Sequence, residues 1–408
     1  MLKGNAIVGQ SGGPTAAINA TLAGVIKGAF ECEAIGTVYG ALNGVEGILK
    51  GTICNLSEII KGEEDLELLS NTPAAALGSC RLKLPKMDEK PETYEQIIDF
   101  FKSHDIRYFF YIGGNDSMDT VAKLSAYCEK NDYEMRIMGV PKTIDNDVMG
   151  TDHTPGYGSA AKYIAASMQE ILRDTAVYKV KAVTIVEIMG RDAGWLTCAA
   201  ALPRLYSDVA PDLVYLPEVD FDMDNFMEDV RAALEVHPNV VVAVSEGARF
   251  ADGTYVGASA QSGVTDAFGH AYLSGTGKAL ELAVKDRIGC KVRSVELNIL
   301  QRCASHIASK TDLDESRMVG AAAVKAASQG TTGKMMTYVR TSNDPYKVET
   351  GSEDIHKIAN MVREVPREFI NERGNNVTDE CLKYIAPLTF GEPAVKYENG
   401  LPKHFVIK

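Results

Sequence analysis

Two carboxylates, a hydroxyl and an ammonium lie within six positions in Lys142-Thr-Ile-Asp-Asn-Asp147. The run before them, Arg136-Ile-Met-Gly-Val140, reads as a short strand. These groups therefore stand at a strand's C-terminal end, where open α/β sheets place ligands. A second polar set stands in Tyr111-Ile-Gly-Gly-Asn-Asp-Ser-Met-Asp-Thr120. Its two glycines let the backbone approach a ligand, and the helix that follows offers free N–H groups and a positive partial charge. That is chemistry for an anion, and for a phosphate in particular. Asp116 beside this turn suits a metal ion or repels surplus negative charge. The same residues also read as a capped helix after a tight turn, and this stretch alone does not separate the two.

Each set needs an element to hold it. Ile106-Arg-Tyr-Phe-Phe-Tyr-Ile112 is an aromatic and β-branched run that predicts a buried strand. A further strand is expected at 5–9, leading into Gln10-Ser-Gly-Gly-Pro-Thr-Ala-Ala-Ile-Asn-Ala20, a glycine turn and a helix with Pro near its first turn. The spacing there is neither the dinucleotide Gly-x-Gly-x-x-Gly nor the Gly-Lys-Ser/Thr of a Walker loop. It reads as a second strand–turn–helix anion site. Strands are also expected at 34–39, 181–188, 212–218, 239–248, 291–302 and 334–340, with a last one near 404–408. A turn is expected at 43–47, and helices at 61–67, 160–172, 226–236 and 312–329. The segment 251–277 is rich in Gly, Ser and Ala and reads as an inserted loop. Within it, Ser274-Gly-Thr-Gly-Lys278 has no preceding strand and no following Ser or Thr, so it reads as plain loop.

The totals narrow the class. A chain of 408 residues exceeds one core and implies two domains. Hydrophobic content of 45% and charged content of 24% are those of a globular protein, and no apolar run approaches a membrane span. The N-terminus runs straight into a strand, so no signal peptide is expected. Eight scattered cysteines without a Cys-x-x-Cys pair read as reduced cytoplasmic thiols, and seven histidines show no metal-ligand spacing. The net charge of −13 argues against nucleic acid or an anionic membrane as partner. An acidic chain that binds phosphate must gather its cations locally, which draws attention to basic residues beside glycine turns.

Gly-Gly-x-x-Ser together with Pro-Lys-Thr-Ile-Asp-Asn-Asp resembles the phosphofructokinase family, and within it the pyrophosphate-dependent branch. Further motifs match in order over about residues 4–340. The turn at Gly12 and Gly13 resembles the family's first phosphate loop. Leu77-Gly-Ser-Cys-Arg81 resembles a turn whose arginine reaches the phosphoryl donor, although a lone loop arginine is more often solvated. Met189-Gly190-Arg191 resembles the sugar-phosphate loop, and the Ser-Glu-Gly exit at Glu246 the hexose-binding glutamate. The stretch ending in Gln-Arg302 carries an earlier arginine, Arg293, which the resemblance sends across a subunit interface to a neighbour's sugar phosphate.

The resemblance implies two doubly wound, Rossmann-like α/β domains facing across a cleft, the phosphofructokinase fold. Residues 1–158, completed by about 304–350, would form the donor domain and 159–303 the sugar-phosphate domain, with 351–408 an extension packing on the core. The implied reaction moves a phosphoryl group reversibly from pyrophosphate to the 1-hydroxyl of fructose 6-phosphate. Such transfer asks for positioning and charge neutralisation. Asp145 would be the general base, Thr143 would bind the moving group, Asp147 would orient, and Mg²⁺ would bridge donor oxygens. Gly12, Gly13, Arg81, Asp116 and Ser117 would bind the donor. Met189, Gly190, Arg191, Glu246, Arg293 and Arg302 would bind the sugar phosphate.

Two positions bear on the donor. Asp116 stands where ATP-using relatives carry glycine, and its carboxylate takes the room and charge of an α-phosphate. Lys142 stands where bacterial ATP users have glycine. Three positions depart from the family pattern: Asn115 replaces a metal-binding Asp, leaving Asn115 and Asp116 as the expected metal ligands, with Asp145 as a further candidate; Ile299 replaces a hexose-binding His; Ala182 replaces a cross-subunit Arg, with Lys181 beside it. A homodimer or homotetramer with the site completed across the interface is expected. The alternatives are an ATP-dependent phosphofructokinase and a non-catalytic regulatory subunit.

Overall fold

The structure is a computed structural model that describes residues 1–260, 275–359 and 361–407. Most of the expected inserted loop therefore lies outside the described residues. Its flanks are a short 3₁₀ turn from Val256 and a helix, Thr276–Arg287.

Eleven of the thirteen strands among the described residues build two large sheets; the other two, Tyr397–Glu398 and Leu401–Pro402, pair as a small antiparallel ribbon. In chain order the eleven are β1 (Gly4–Gln10), β2 (Ile35–Ala41), β3 (Ile53–Asn55), β4 (Ile106–Gly113), β5 (Arg136–Pro141), β6 (Ala182–Ile188), β7 (Leu213–Tyr215), β8 (Asn239–Ser245), β9 (Lys291–Glu296), β10 (Lys334–Asn343) and β11 (Tyr346–Asp354). The first sheet runs β11-β10-β5-β4-β1-β2-β3, parallel except at its two edge strands. The second runs β7-β8-β6-β9 and is wholly parallel. Apolar clusters lie on both faces of each sheet, as two doubly wound α/β units require. Buried runs such as Ile7-Val8 and Phe109-Phe110 explain why these strands lack polar alternation.

In the first sheet, β1 has β2 on one side and β4 on the other, so the chain direction reverses between β1 and β4. This switch point opens a crevice at the strands' C-terminal ends, where both glycine turns emerge. Behind it the helices Ile18–Phe30 and Lys310–Ser328 pack backbone to backbone. A Cβ at Gly24 would lie 2.1 Å from the carbonyl oxygen of Arg317, and one at Gly320 2.3 Å from that of Thr21. The Gly24→Ala protein is expected to lose about 1–3 kcal/mol of stability, because the helices must part. Thermal unfolding checks this, and an unchanged Tm would show that the contact gives freely.

Several elements differ from the sequence expectation. The run at 291–302 is a strand only to Glu296; Asn298 then takes a left-handed φ of +43° and Leu300–Cys303 is a helical turn. The strand at 212–218 is three residues long, and Pro217 lacks the N–H that would extend the ladder. The turn at 43–47 is the start of a helix, Gly44–Lys50. No strand forms at 403–407. Instead Phe405 and Ile407 pack on the first core, and the Phe405 N–H donates to Thr72 Oγ1 at 2.8 Å. In the tail, the helix Asp379–Ile385 enters the core of the second unit, and the Val214 N–H on the edge of β7 donates to Asn375 O.

Candidate active site

Backbone bonds lock three turns of the first unit together. The Ser11 N–H donates to Ile112 O at 2.9 Å, Lys142 N–H to Gly113 O at 2.9 Å, and Gly12 N–H to Cys80 O at 3.0 Å. The ends of β1, β4 and β5 are thereby held side by side, with the loop that carries Arg81 tied to Gly12. Gly12 has φ +79°, a conformation that favours glycine, and a Cβ there would come within 3.2 Å of Lys142 Nζ. The helix Asn115–Lys130 starts at this edge, so its first N–H groups face the crevice.

Facing these turns are the strand ends of the second unit. Ser245 Oγ at the end of β8 donates to Gly190 O at 2.6 Å, and the Gly190 N–H donates to Glu246 Oε1 at 3.3 Å. The Met189 N–H donates to Gln301 Oε1 at 3.3 Å, which brings the turn bearing Arg302 beside the Met189–Arg191 loop. A Cβ on Gly247 would lie 1.9 Å from Arg191 O, so that loop sits directly on the backbone after Glu246.

Between the two sets lies a cavity of about 460 Å³. From the donor side it is lined by Gly12, Gly13, Arg81, Asn115, Asp116 and Ser117, all expected from the sequence. Lys142, Thr143, Asp145 and Asp147 line its floor, and Met189, Arg191, Glu246 and Arg302 its far side. Gly190 shapes the loop without lining the cavity. Arg293 is elsewhere: it lies on β9 in a small separate cavity with Tyr178, Thr184 and Lys291. Ser11, Lys83, Asp192 and Val362 also line the cleft and were not singled out in the sequence. Ser11 and Asp192 adjoin the quoted motifs and so were within reach; Val362 had no local signal. Of Ser274–Lys278, Ser274 lies outside the described residues; in the rest, the Gly277 N–H is taken by Glu187 Oε2 at 2.7 Å.

The catalytic-loop candidates are firmly held. Thr143 Oγ1 accepts from the Asp145 N–H at 3.1 Å, and Asn146, at a left-handed φ of +55°, accepts from Thr154 N–H and donates to Tyr384 Oη. Asp147 O accepts from the Arg363 N–H at 2.8 Å. Lys142, 2% exposed, donates to Gly13 O at 2.6 Å. Burial brings its ammonium down to about 8, against the opposing pull of Asp145. Asp145 is half-buried at the cleft; desolvation raises its pKa while Lys142 and Arg191 resist. Burial, with the charge of Asp145 added, pushes Asp147 up to about 7 and Glu246 up to about 8. Burial therefore raises all three carboxyls above their ordinary range, as is common where acid–base chemistry is done.

Asp116 Oδ1 pairs with Lys83 Nζ at 2.9 Å at the rim, both side chains partly exposed. This turns one expected metal ligand toward a cation. Asn115 behaves otherwise: its Oδ1 is buried with no hydrogen-bond partner among the described residues. An orphaned amide oxygen beside acidic groups fits a hard divalent cation. Among the described residues no cluster of three or more His, Cys, Asp or Glu side chains is built to hold a metal. The fit is thus to a cation completed by ligand oxygens, the usual arrangement for Mg²⁺ on phosphates.

The sequence profile of the family described as phosphofructokinase matches residues 5–327. A pyrophosphate--fructose 6-phosphate 1-phosphotransferase of Halomonas elongata is 42% identical over 406 residues, covering 99% of this chain and 96% of the relative. One of Methylococcus capsulatus is 39% identical over the same shares. The crystal structure of a pyrophosphate-dependent phosphofructokinase from Nitrosospira multiformis superposes with a TM-score of 0.88 at 37% identity, covering 98% of this chain and 95% of the other.

Proposed function

The chain belongs to the phosphofructokinase family, and from that we propose how its cleft works. It transfers a phosphoryl group from pyrophosphate to the 1-hydroxyl of fructose 6-phosphate, giving fructose 1,6-bisphosphate and phosphate, and runs in both directions. The observation that carries this reading is the meeting of Asp145 and Lys142 at the floor of one cavity. Three bonded turns lie on one side of them, and Arg191 and Arg302 on the other.

The fructose 6-phosphate phosphate group pairs with Arg191 and Arg302, and the hexose packs on Met189 and meets Glu246. This presents the 1-hydroxyl to Asp145, which takes its proton as the oxygen attacks. Thr143 hydrogen-bonds the moving phosphoryl group. Asp147 keeps the loop's charge and geometry in order. Lys142, fixed by Gly13 O, meets negative charge as it gathers on the departing phosphate. The first N–H groups of the helix from Asn115, with Gly12, Gly13, Arg81 and Ser117, hold the rest of the donor. In reverse, Asp145 returns its proton to the oxygen. Bound Mg²⁺ would supply charge neutralisation on the donor. Asn115 would hold it, with Asp145 and Asp147 as the nearby carboxylates, while Asp116 stays with Lys83.

Residues 1–158 with 304–350 act as the donor domain and 159–303 as the sugar-phosphate domain. The 351–408 extension is not set apart in the same way, since β11 already crosses its start. Arg293 on the outer strand β9 supports a homodimer or homotetramer in which it serves a neighbour's site. Eight free thiols support a cytoplasmic setting. No helix of the described residues is long and apolar enough to cross a membrane.

Initial rates with purified protein and either pyrophosphate or ATP test the assignment. Turnover with ATP and none with pyrophosphate would overturn it. The acceptor side has its own test. Arg191→Ala is expected to raise the fructose 6-phosphate KM steeply, since a charge-assisted phosphate contact contributes roughly 1.5–3 kcal/mol, while the pyrophosphate KM stays near wild type. Equal rises in both constants would place Arg191 in general cleft architecture.

A further inference from the structure

Asp145 and Asp147 both line the cavity, while Asn146 between them is wholly buried and does not. Its backbone stands at φ +55°, a left-handed conformation costly for most side chains and tolerated best by glycine and asparagine. The Asn146 side chain ties that conformation down on two sides. Its Oδ1 accepts from the Thr154 N–H at 3.0 Å, and its Nδ2 donates to Tyr384 Oη at 3.2 Å. The second partner comes from the helix Asp379–Ile385 in the C-terminal extension, 238 residues further along the chain.

The Tyr384 hydroxyl has one proton and two lone pairs, and all three are engaged. It donates to Asp152 O at 2.6 Å and accepts from Asn146 Nδ2 and, at 3.2 Å, from Arg363 Nη2. Burial holds the phenol above its ordinary pKa, so the hydroxyl keeps the proton it donates. The ring is fixed as well. The Arg340 guanidinium lies 4.5 Å from its centre, and the Trp195 ring 5.3 Å. Arg340 also donates to Tyr384 O at 3.0 Å and to the Asp152 carboxylate at 2.9 Å. The middle of the catalytic loop is therefore tied to a hydroxyl that has no freedom of its own.

We propose that Tyr384 is a positioning residue for the phosphoryl transfer: through Asn146 its hydroxyl sets where the Asp145 and Asp147 carboxylates stand, which makes the C-terminal extension part of the catalytic apparatus. This rests on the reading of Asp145 as the base. Asn146 joins the two aspartates, so rotation about its φ or ψ changes the angle between their carboxylates. Proton transfer tolerates little error of that kind, and a misplacement of about 1 Å can cost about 10²-fold in rate. Tyr384 itself does not line the cavity, so its loss reaches turnover rather than substrate binding.

Tyr384→Phe tests this, because it keeps the ring and its stacking and removes only the hydroxyl. Its kcat is expected to fall about ten- to hundredfold, with the KM for pyrophosphate and for fructose 6-phosphate each within about twofold of wild type. A hydroxyl that only stabilised the fold would lower Tm and leave kcat alone well below it. Asn146→Gly shows the route, since glycine keeps the left-handed backbone and removes both side-chain bonds. In that background Tyr384→Phe should cost less than about a further twofold, the non-additivity of two residues acting as one. A wild-type kcat in Tyr384→Phe would overturn the proposal, as would fully additive losses or KM values that climb as kcat falls. Should the phenylalanine protein fail to fold, Asn146→Gly decides alone: a kcat down about tenfold at steady KM supports the proposal, and a near-wild-type kcat overturns it. A wild type that does not phosphorylate fructose 6-phosphate from pyrophosphate would instead overturn the reading beneath it.

Discussion

An Asp145→Asn enzyme is expected to lose about 10²-fold or more in kcat, roughly 3 kcal/mol of transition-state stabilisation, with little change in sugar-phosphate binding. The substitution keeps the shape and the backbone N–H that Thr143 Oγ1 accepts, so the loop's internal bond survives. What is lost is the group that takes the hydroxyl proton. The effect should extend to the pH profile of kcat/KM, which reports the free enzyme. Lys142 lies at about 8 with Asp145 holding it up; without that anion its ammonium loses its proton at lower pH. The alkaline limb of the variant should therefore move toward neutrality. Stopped assays across pH 5–10 with pyrophosphate varied from below to above its KM would check both parts. Near-normal turnover would remove Asp145 from the chemistry.

The donor predictions come next in size. Wild type is expected to use pyrophosphate and to leave ATP untouched, and Asp116→Gly to admit ATP slowly while weakening pyrophosphate use. The structure refines the cause. Asp116 shares its charge with Lys83 across a partly exposed pair, and such pairs hold little energy. Exclusion of ATP then rests on the carboxylate's bulk at the rim together with its remaining charge. Lys83→Ala alone should leave ATP excluded. Lys142→Gly should cut pyrophosphate turnover by about 10²–10³-fold, the effect of losing one preorganised charge, with a smaller change in pyrophosphate KM. Its tether to Gly13 O means the ammonium is already in place before charge moves. Initial rates with each donor at saturating sugar phosphate decide these points. ATP turnover by wild type, or an Asp116→Gly protein that neither binds nor turns over ATP, would show that the gate is elsewhere.

The parts of this site readable from the sequence are those made by short-range physics. A strand ending in two glycines, followed by a helix start, is a local object: positive φ, close backbone approach and free N–H groups all arise within about ten residues. That is why the turns at Gly12 and Gly113 and the loop Lys142–Asp147 were legible from their own residues, along with the α/β class of the chain, while the turn at Gly190 was marked out only by the family resemblance. Edges were less so. Alternation from Lys291 to Arg302 looks continuous, yet the backbone turns at Asn298 into a left-handed φ, and Gln301 beyond it accepts from the Met189 N–H. The tail at 403–407 has the composition of a strand but spends its apolar side chains Phe405 and Ile407 on the first core.

What only the tertiary structure decided is which residues meet. Strand order, not spacing, brings β1, β4 and β5 together and sets β6, β8 and β9 opposite them, so Arg302 faces the cavity while Arg293 does not. The pairing of Lys83 with Asp116 and the arrival of Val362 beside Asp147 have no sequence signature at all. Their positions are set by anchors far away in the chain, Ile358 in one core and Val365 in the other, and by the burial that fixes both units. Local pattern reports a residue's own backbone and face; the distance between two side chains separated by hundreds of residues is set by the sum of all packing between them.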